Sequence, residues 1–177
     1  MSEHHDVGEF HQKFGLHQTN DTTPHPMAVP KELFDFRVKF MEEELKEFKD
    51  AAAEGDHAGM FDALMDLTYV ACGFAHLMGY PWQEGWDLVQ TANMSKVRAQ
   101  RSEESERGGI WDVVKPEGFQ PPDIEGLLAT YNFPKRAHSC RICHTGIFDS
   151  IEEVVINATP GYTQYAHAQC AQKEGLL

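Results

Sequence analysis

The sequence predicts an all-α helical bundle followed by a small β-rich module of the zinc-ribbon or treble-clef kind. Three observations predict it. Apolar residues recur at helical period between residues 31 and 105. The breaks between those runs are short and rich in Gly and Pro. The tail from about 136 turns to Cys, His and strand-forming residues. The 177 residues suffice for one medium domain with an appendage, which places the bundle at 1–125 and a linker with the metal-binding module at 126–177.

Residues 3–15 read as a short helix with Val7, Phe10 and Phe14 on one face. "HQTNDTTPHPMAVP" (17–30) is a loop, and Pro30 suits the start of the next helix. Over 31–53, Phe34, Val38, Met41, Leu45 and Phe48 form an apolar stripe at steps of four, three, four and three. "EGDHAG" (54–59) interrupts it. A second helix follows over 60–79 with Leu64, Leu67, Ala71 and Phe74 on one face, ended by Gly79, Tyr80 and Pro81. A third runs from about Trp82 to about Ser105, carrying Trp86, Val89, Met94 and Val97. Three helices with short connections predict a bundle. "GGIWDVVKPEGFQPPD" (108–123) is extended, "EEVVINA" (152–158) is a strand, and "QYAHAQC" is a strand entering a short helix.

The net charge of −13 argues against direct binding of nucleic acid or an anionic membrane, since phosphate backbones favour basic surfaces. It still admits a small phosphate-bearing substrate bridged to carboxylates by divalent metal. No apolar run approaches the roughly 20 residues a membrane span needs. The polar, acidic start "MSEHHDVGEF" is no secretory signal, and the expected location is cytoplasmic.

The chemistry concentrates in "MEEELKEFKD" (41–50) and the helix after it. Residues three or four apart share a helix face. Glu44 and Glu47 are three apart, Glu43 and Glu47 four apart, and Asp62 and Asp66 four apart on the next helix. The short connection makes the helices antiparallel neighbours, so these five acids can meet. Exposed like-charge pairs cost a few tenths of a kcal/mol each. Asp66 lies within "ALMDLTYV", where a charged carboxylate needs a partner, and that helix carries no Lys or Arg. Divalent cations with oxygen ligands, Mg²⁺ above all, answer both points.

"EEELKEF", a short break and "DALMDLTYVACG" resemble the MazG-like all-α nucleoside triphosphate pyrophosphohydrolases. Their pattern is two glutamates three apart, then an acid three or four residues before an aspartate on the next helix. "DVGEFHQKFGL" (6–16), "NMSK" (93–96) and "KPEGFQPPD" (115–123) are similar to a phage and bacterial branch of the group, related to phosphoribosyl-ATP pyrophosphohydrolase. The resemblance covers roughly residues 3–125. It departs at one place: the usual glutamate three residues before the final aspartate is Ala63, and Asp62 stands one residue earlier.

The resemblance implies hydrolysis of a nucleoside triphosphate between the α- and β-phosphates, with two or three Mg²⁺ (or Mn²⁺) held by Glu43, Glu44, Glu47, Asp62 and Asp66. Glu43 or Glu44 would orient the attacking water. It implies that Asn93 and Lys96, three apart, contact phosphate, with Lys115 a further phosphate ligand. Phe10, Phe14 and Trp82 could wall a base whose edge Asp6 or His11 reads, although core packing is the commoner role of such aromatics. It also implies a homo-oligomer, dimer or tetramer, a purine substrate such as (d)GTP, and a role in phage nucleotide-pool metabolism, in the host cytoplasm if phage-encoded.

"CRIC" (140–143) and "HAQC" (167–170) supply Cys140, Cys143, His167 and Cys170, two close pairs as a tetrahedral structural Zn²⁺ site requires. His144 is an alternative ligand, and Cys72 reads as an inert packed thiol. Across 135–177, Lys135, Arg136, Arg141 and Lys173 balance Asp149, Glu152, Glu153 and Glu174, so the tail has no electrostatic footprint for DNA. Two rival readings stay open: a nucleotide sensor that binds without hydrolysis, for which Ala63 speaks, and a zinc adaptor that docks a protein partner through residues 136–177.

Overall fold

The computed structural model of the protein describes residues 2–16, 29, 31–133, 138–142, 146–147, 153–159 and 162–177. The expected loop 17–30, apart from Val29, lies outside these residues, as do Cys143, His144 and the turn residues Pro160 and Gly161. The chain falls into two compact units, Met1–Tyr80 with Pro134–Leu177, and Pro81–Phe133.

In the first unit α1 (Glu3–Phe14), α2 (Lys31–Glu54) and α3 (His57–Leu77) supply the helices. α1 stops at Gly15, which sits at φ +63° while Leu16 N–H donates to His11 C=O. α2 and α3 are joined by two residues. Gly55 takes φ +71°, and Asp56 caps α3 by accepting from Ala58 N–H at 3.0 Å. That cap starts α3 at His57, earlier than the expected residue 60, because an Asp N-cap pairs a donor the first turn leaves open. Two residues leave no room for anything but an antiparallel hairpin.

The inward faces differ from expectation. On α2 the buried residues are Arg37 and Glu44, both charged, whereas Leu45 is exposed. The helix is turned so that positions 37, 41, 44 and 48 face inward and Leu45 sits at the edge. Ala63, Val70, Cys72, Ala75 and Leu77 are buried on α3, but Leu64 is not. Val29, Leu77 and Met78 form a buried cluster with Leu33, Phe34 and Phe74 around it. Cys72 is buried, and burial pushes its thiol up, as suits an inert packed residue.

The second unit holds α4 (Trp82–Met94), β1 (Val97–Arg98), a 3₁₀ turn (Ser102–Glu104), β2 (Val113–Val114) and α5 (Ile124–Thr130). The expected helix to Ser105 ends at Met94. Ser95 Oγ donates to Ala92 C=O, competing with the helical ladder, and the β-branched Val97 then pairs with Val114. Trp86, Val89, Met94 and Val97 are exposed, and Ala92 is the buried residue of α4. α4 and α5 belong together to this unit. Tyr131 O–H donates to Glu84 at 2.8 Å, tying the end of α5 to α4.

The tail contains β3 (His138–Ser139), β4 (Gly146–Ile147), β5 (Glu153–Thr159), β6 (Tyr162–His167) and α6 (Ala168–Lys173). β5 and β6 pair antiparallel from Glu153↔His167 to Thr159↔Tyr162, with an irregularity between Val155 and Asn157. Cys140, Ala166, Cys170 and Ala171 are its buried core.

Candidate active site

The α2–α3 hairpin gathers the five acids. Glu44 is only 7% exposed, while Glu43, Glu47, Asp62 and Asp66 reach solvent. Burial pushes the Glu44 carboxyl up, and Glu47, Asp66, Glu43 and Asp62 each push it further. All four neighbours therefore bear on one carboxylate. Asp66, expected among apolar side chains, is instead exposed. The shift of the acid from position 63 to 62 also has a physical reason: Ala63 is 3% exposed, so a glutamate there would enter the packed interior, whereas Asp62 faces outward.

The same α3 face continues from Asp62 and Asp66 to Tyr69 and Gly73. Tyr69 meets Phe10 edge-on at 5.5 Å, and Phe10 lies 4.7 Å from Phe14. All three rings are at least 40% exposed, so they form an accessible aromatic wall. His11 does not join it. Its ring is buried and its Nε2 accepts from Arg37 Nη2 at 3.1 Å, because a guanidinium only donates. His11 is therefore packed against Arg37 within the first unit. Gly73 makes this possible, since a Cβ there would stand 2.9 Å from His11 Nε2. Asp6 is exposed beside His5. Tyr69 was missed by sequence reasoning; its position three residues after Asp66 was the available signal.

In the second unit, Lys96 Nζ donates to Asn93 Oδ1 at 2.8 Å. Lys96 and Lys115 both lie over the Phe119 ring, at 6.0 and 5.7 Å from its centre. The structure thus brings together the three residues expected on phosphate, although Lys96 follows α4 rather than lying on it. Phe119, which collects the two cations, was not foreseen. A pocket of about 260 Å³ opens beside Lys96, Arg107 and Lys115. Trp82 begins α4 in this unit. In the tail, ligand atoms of Cys140, His167 and Cys170 lie within 4.8 Å of one another.

Residues 7–93 match the family model of phosphoribosyl-ATP pyrophosphohydrolase. The match spans α1 to the end of α4 and includes all five acids, with Asn93 at its edge. It covers just under half of the chain, and leaves Lys96, Lys115 and the tail outside. Phosphoribosyl-ATP pyrophosphohydrolases are hydrolases of a phosphoanhydride in a nucleotide, and the family typically uses a divalent metal such as Mg²⁺. The mostly helical architecture agrees with that family's all-α fold. No curated protein matches the chain significantly in sequence. Among the described residues no helix is long and apolar enough to cross a membrane.

Proposed function

We propose that the protein is a Mg²⁺-dependent nucleoside triphosphate pyrophosphohydrolase that cleaves a (d)NTP to (d)NMP and pyrophosphate. The observation that carries this reading is the buried Glu44 crowded by four further acids on one helical hairpin. Such an arrangement is repulsive by itself and suits a hard cation that takes only oxygen ligands. Bound there, two or three Mg²⁺ (or Mn²⁺) would neutralise the triphosphate and acidify a water.

Glu43, Glu44, Glu47, Asp62 and Asp66 are the proposed ligands, with Glu43 or Glu44 assigned to orient the attacking water or take its proton. The water oxygen bonds to the attacked phosphorus, the α–β bridging bond breaks, and pyrophosphate leaves with the electron pair. Asn93, Lys96 and Lys115 are assigned to the phosphate charge. Phe10, Phe14 and Tyr69 are assigned to the base, for which a purine such as (d)GTP is favoured by the resemblance to the phage branch. That branch also suggests a role in the nucleotide pool of a host cytoplasm.

A second copy of the chain is proposed to cover α3. Beside Asp62 and Asp66 that helix exposes Phe61, Leu64 and Met65, apolar side chains that gain by being covered. A dimer or tetramer would bury this stripe beside the acids.

The test is incubation with each common (d)NTP and Mg²⁺, with products resolved. Pyrophosphate and monophosphate are expected, with turnover lost in Glu44→Gln and Asp66→Asn. Orthophosphate release, or turnover untouched by both substitutions, would overturn the reading. Tight nucleotide binding with no turnover would select the sensor that the Ala63 departure supports.

A further inference from the structure

We propose that the tail binds one Zn²⁺ through Cys140 Sγ, Cys170 Sγ and Nδ1 of His167. The family match ends before this site, and the proposal stands whether or not the protein hydrolyses nucleotides.

The three side chains arrive from separate elements. Cys140 follows β3, His167 ends β6, and Cys170 lies in the first turn of α6. Their exposures are 0%, 2% and 9%, and their ligand atoms lie within 4.8 Å of one another. Zn–S bonds of about 2.3 Å and Zn–N bonds of about 2.0 Å place tetrahedral ligands roughly 3.5–3.8 Å apart. Cys170 Sγ and His167 Nδ1 are already 3.9 Å apart. The thiols are not joined as a disulfide.

The imidazole is oriented for this role. His167 Nε2 lies 3.1 Å from the carbonyl oxygen of Gly146. A carbonyl only accepts, so Nε2 carries the proton and the Nδ1 lone pair faces the thiols. Metal-bound histidines are fixed in this way by a partner on the other ring nitrogen. The Cys140 segment is held in register too. Arg141 N–H donates to Tyr165 C=O at 2.9 Å, and His138 stacks on the Tyr165 ring at 3.8 Å.

Charge and size agree. Two thiolates, a neutral imidazole and Zn²⁺ sum to zero, the charge state best suited to burial. Among the described residues the buried core of the tail is Cys140, Cys170, Ala166 and Ala171, with Ile142, Val154, Ile156 and Tyr165 packed against it, so two of the four buried core residues are the thiols themselves. Soft sulfur and nitrogen donors select zinc over the hard cations that suit the Glu44 cluster. Cys143, the fourth ligand expected from the sequence pattern, lies outside the described residues, and the proposal rests on the other three.

The test uses the full chain purified in reducing buffer without chelator. One zinc per chain is expected by elemental analysis. Replacement by Co²⁺ should give a near-ultraviolet thiolate charge-transfer band and strong visible bands of a tetrahedral site. Cys170→Ser and His167→Ala should lose the metal. His167→Cys should keep it with a stronger charge-transfer band, and Glu44→Gln should leave it unchanged. A wild-type chain without zinc that also gives no thiolate band with Co²⁺, or one with a Cys140–Cys170 disulfide under these conditions, would overturn the proposal. So would full zinc content in both Cys170→Ser and His167→Ala.

Discussion

Nη2 of Arg37 donates to Nε2 of His11 at 3.1 Å, and both side chains are buried where α1 crosses the α2–α3 hairpin at Gly73. The crossing depends on Gly73 lacking a Cβ. Gly73→Ala should cost about 1–3 kcal/mol through overpacking. His11→Ala should cost a similar amount, roughly 1–3 kcal/mol, by leaving a buried Arg37 donor without its acceptor. Urea unfolding measures both. His11→Gln keeps an acceptor and should recover part of the loss. An unchanged midpoint for Gly73→Ala would show that α1 does not pack as described.

The crowding at Glu44 predicts an unusual pH response. Burial and four neighbouring acids raise its folded-state value above the unfolded one. The metal-free folded form therefore binds this proton more readily than the unfolded chain. The unfavourable contribution is present at neutral pH and disappears as pH falls through the raised value. Metal-free Glu44→Gln should accordingly melt higher than wild type at neutral pH. Added Mg²⁺ should stabilise wild type most at neutral to alkaline pH, progressively less on acidification, and Glu44→Gln little at any pH. Thermal melts with and without Mg²⁺ decide it. Activity in Glu44→Gln should fall by about 10²–10⁴-fold.

Lys96 and Lys115 share the Phe119 ring. If their charge is spent on phosphate in the transition state, Lys96→Ala and Lys115→Ala should each lower kcat by about 10²–10³-fold. Phe119→Leu should have a smaller effect, by loosening the lysines. Pyrophosphate release at saturating Mg²⁺ measures this, and wild-type turnover in the double lysine variant would remove both residues from the site.

The Tyr69–Phe10 contact makes a prediction of a different kind. Stacking on a base is worth about 1–3 kcal/mol, so Tyr69→Ala should raise KM by about tenfold with kcat little altered, and Tyr69→Phe should behave as wild type. A loss confined to kcat would place Tyr69 elsewhere in the mechanism.

Much of this was legible beforehand because periodicity and capping are local. The helix expected over 31–53 is α2, and the strand expected at 152–158 is β5, because spacing and turn residues decide such elements. What was not legible depends on which neighbour arrives. Leu45 belongs to the apolar stripe by spacing, yet Glu44 is the residue turned inward. The third helix looked continuous past Met94, but Ser95 and the pairing of Val97 with Val114 end it. α5 is seven residues long, too short for its pattern to stand out. That the five acids share one hairpin could be read from their spacing and the short break between the helices. The partnership of Lys96 with Lys115 through Phe119 could not, because it is made by a loop that folds back.

The two-residue link at Gly55 and Asp56 also bears on how the site comes into being. Glu43 through Asp66 form one local hairpin whose closure demands only a short loop, and short loops close quickly and with little entropy. The carboxylates would then be in place before distant parts of the chain pair. Their mutual repulsion opposes that closure, and a divalent ion captured during folding would reverse the opposition. On this account magnesium in the refolding buffer should speed the formation of the hairpin as well as steady the finished protein.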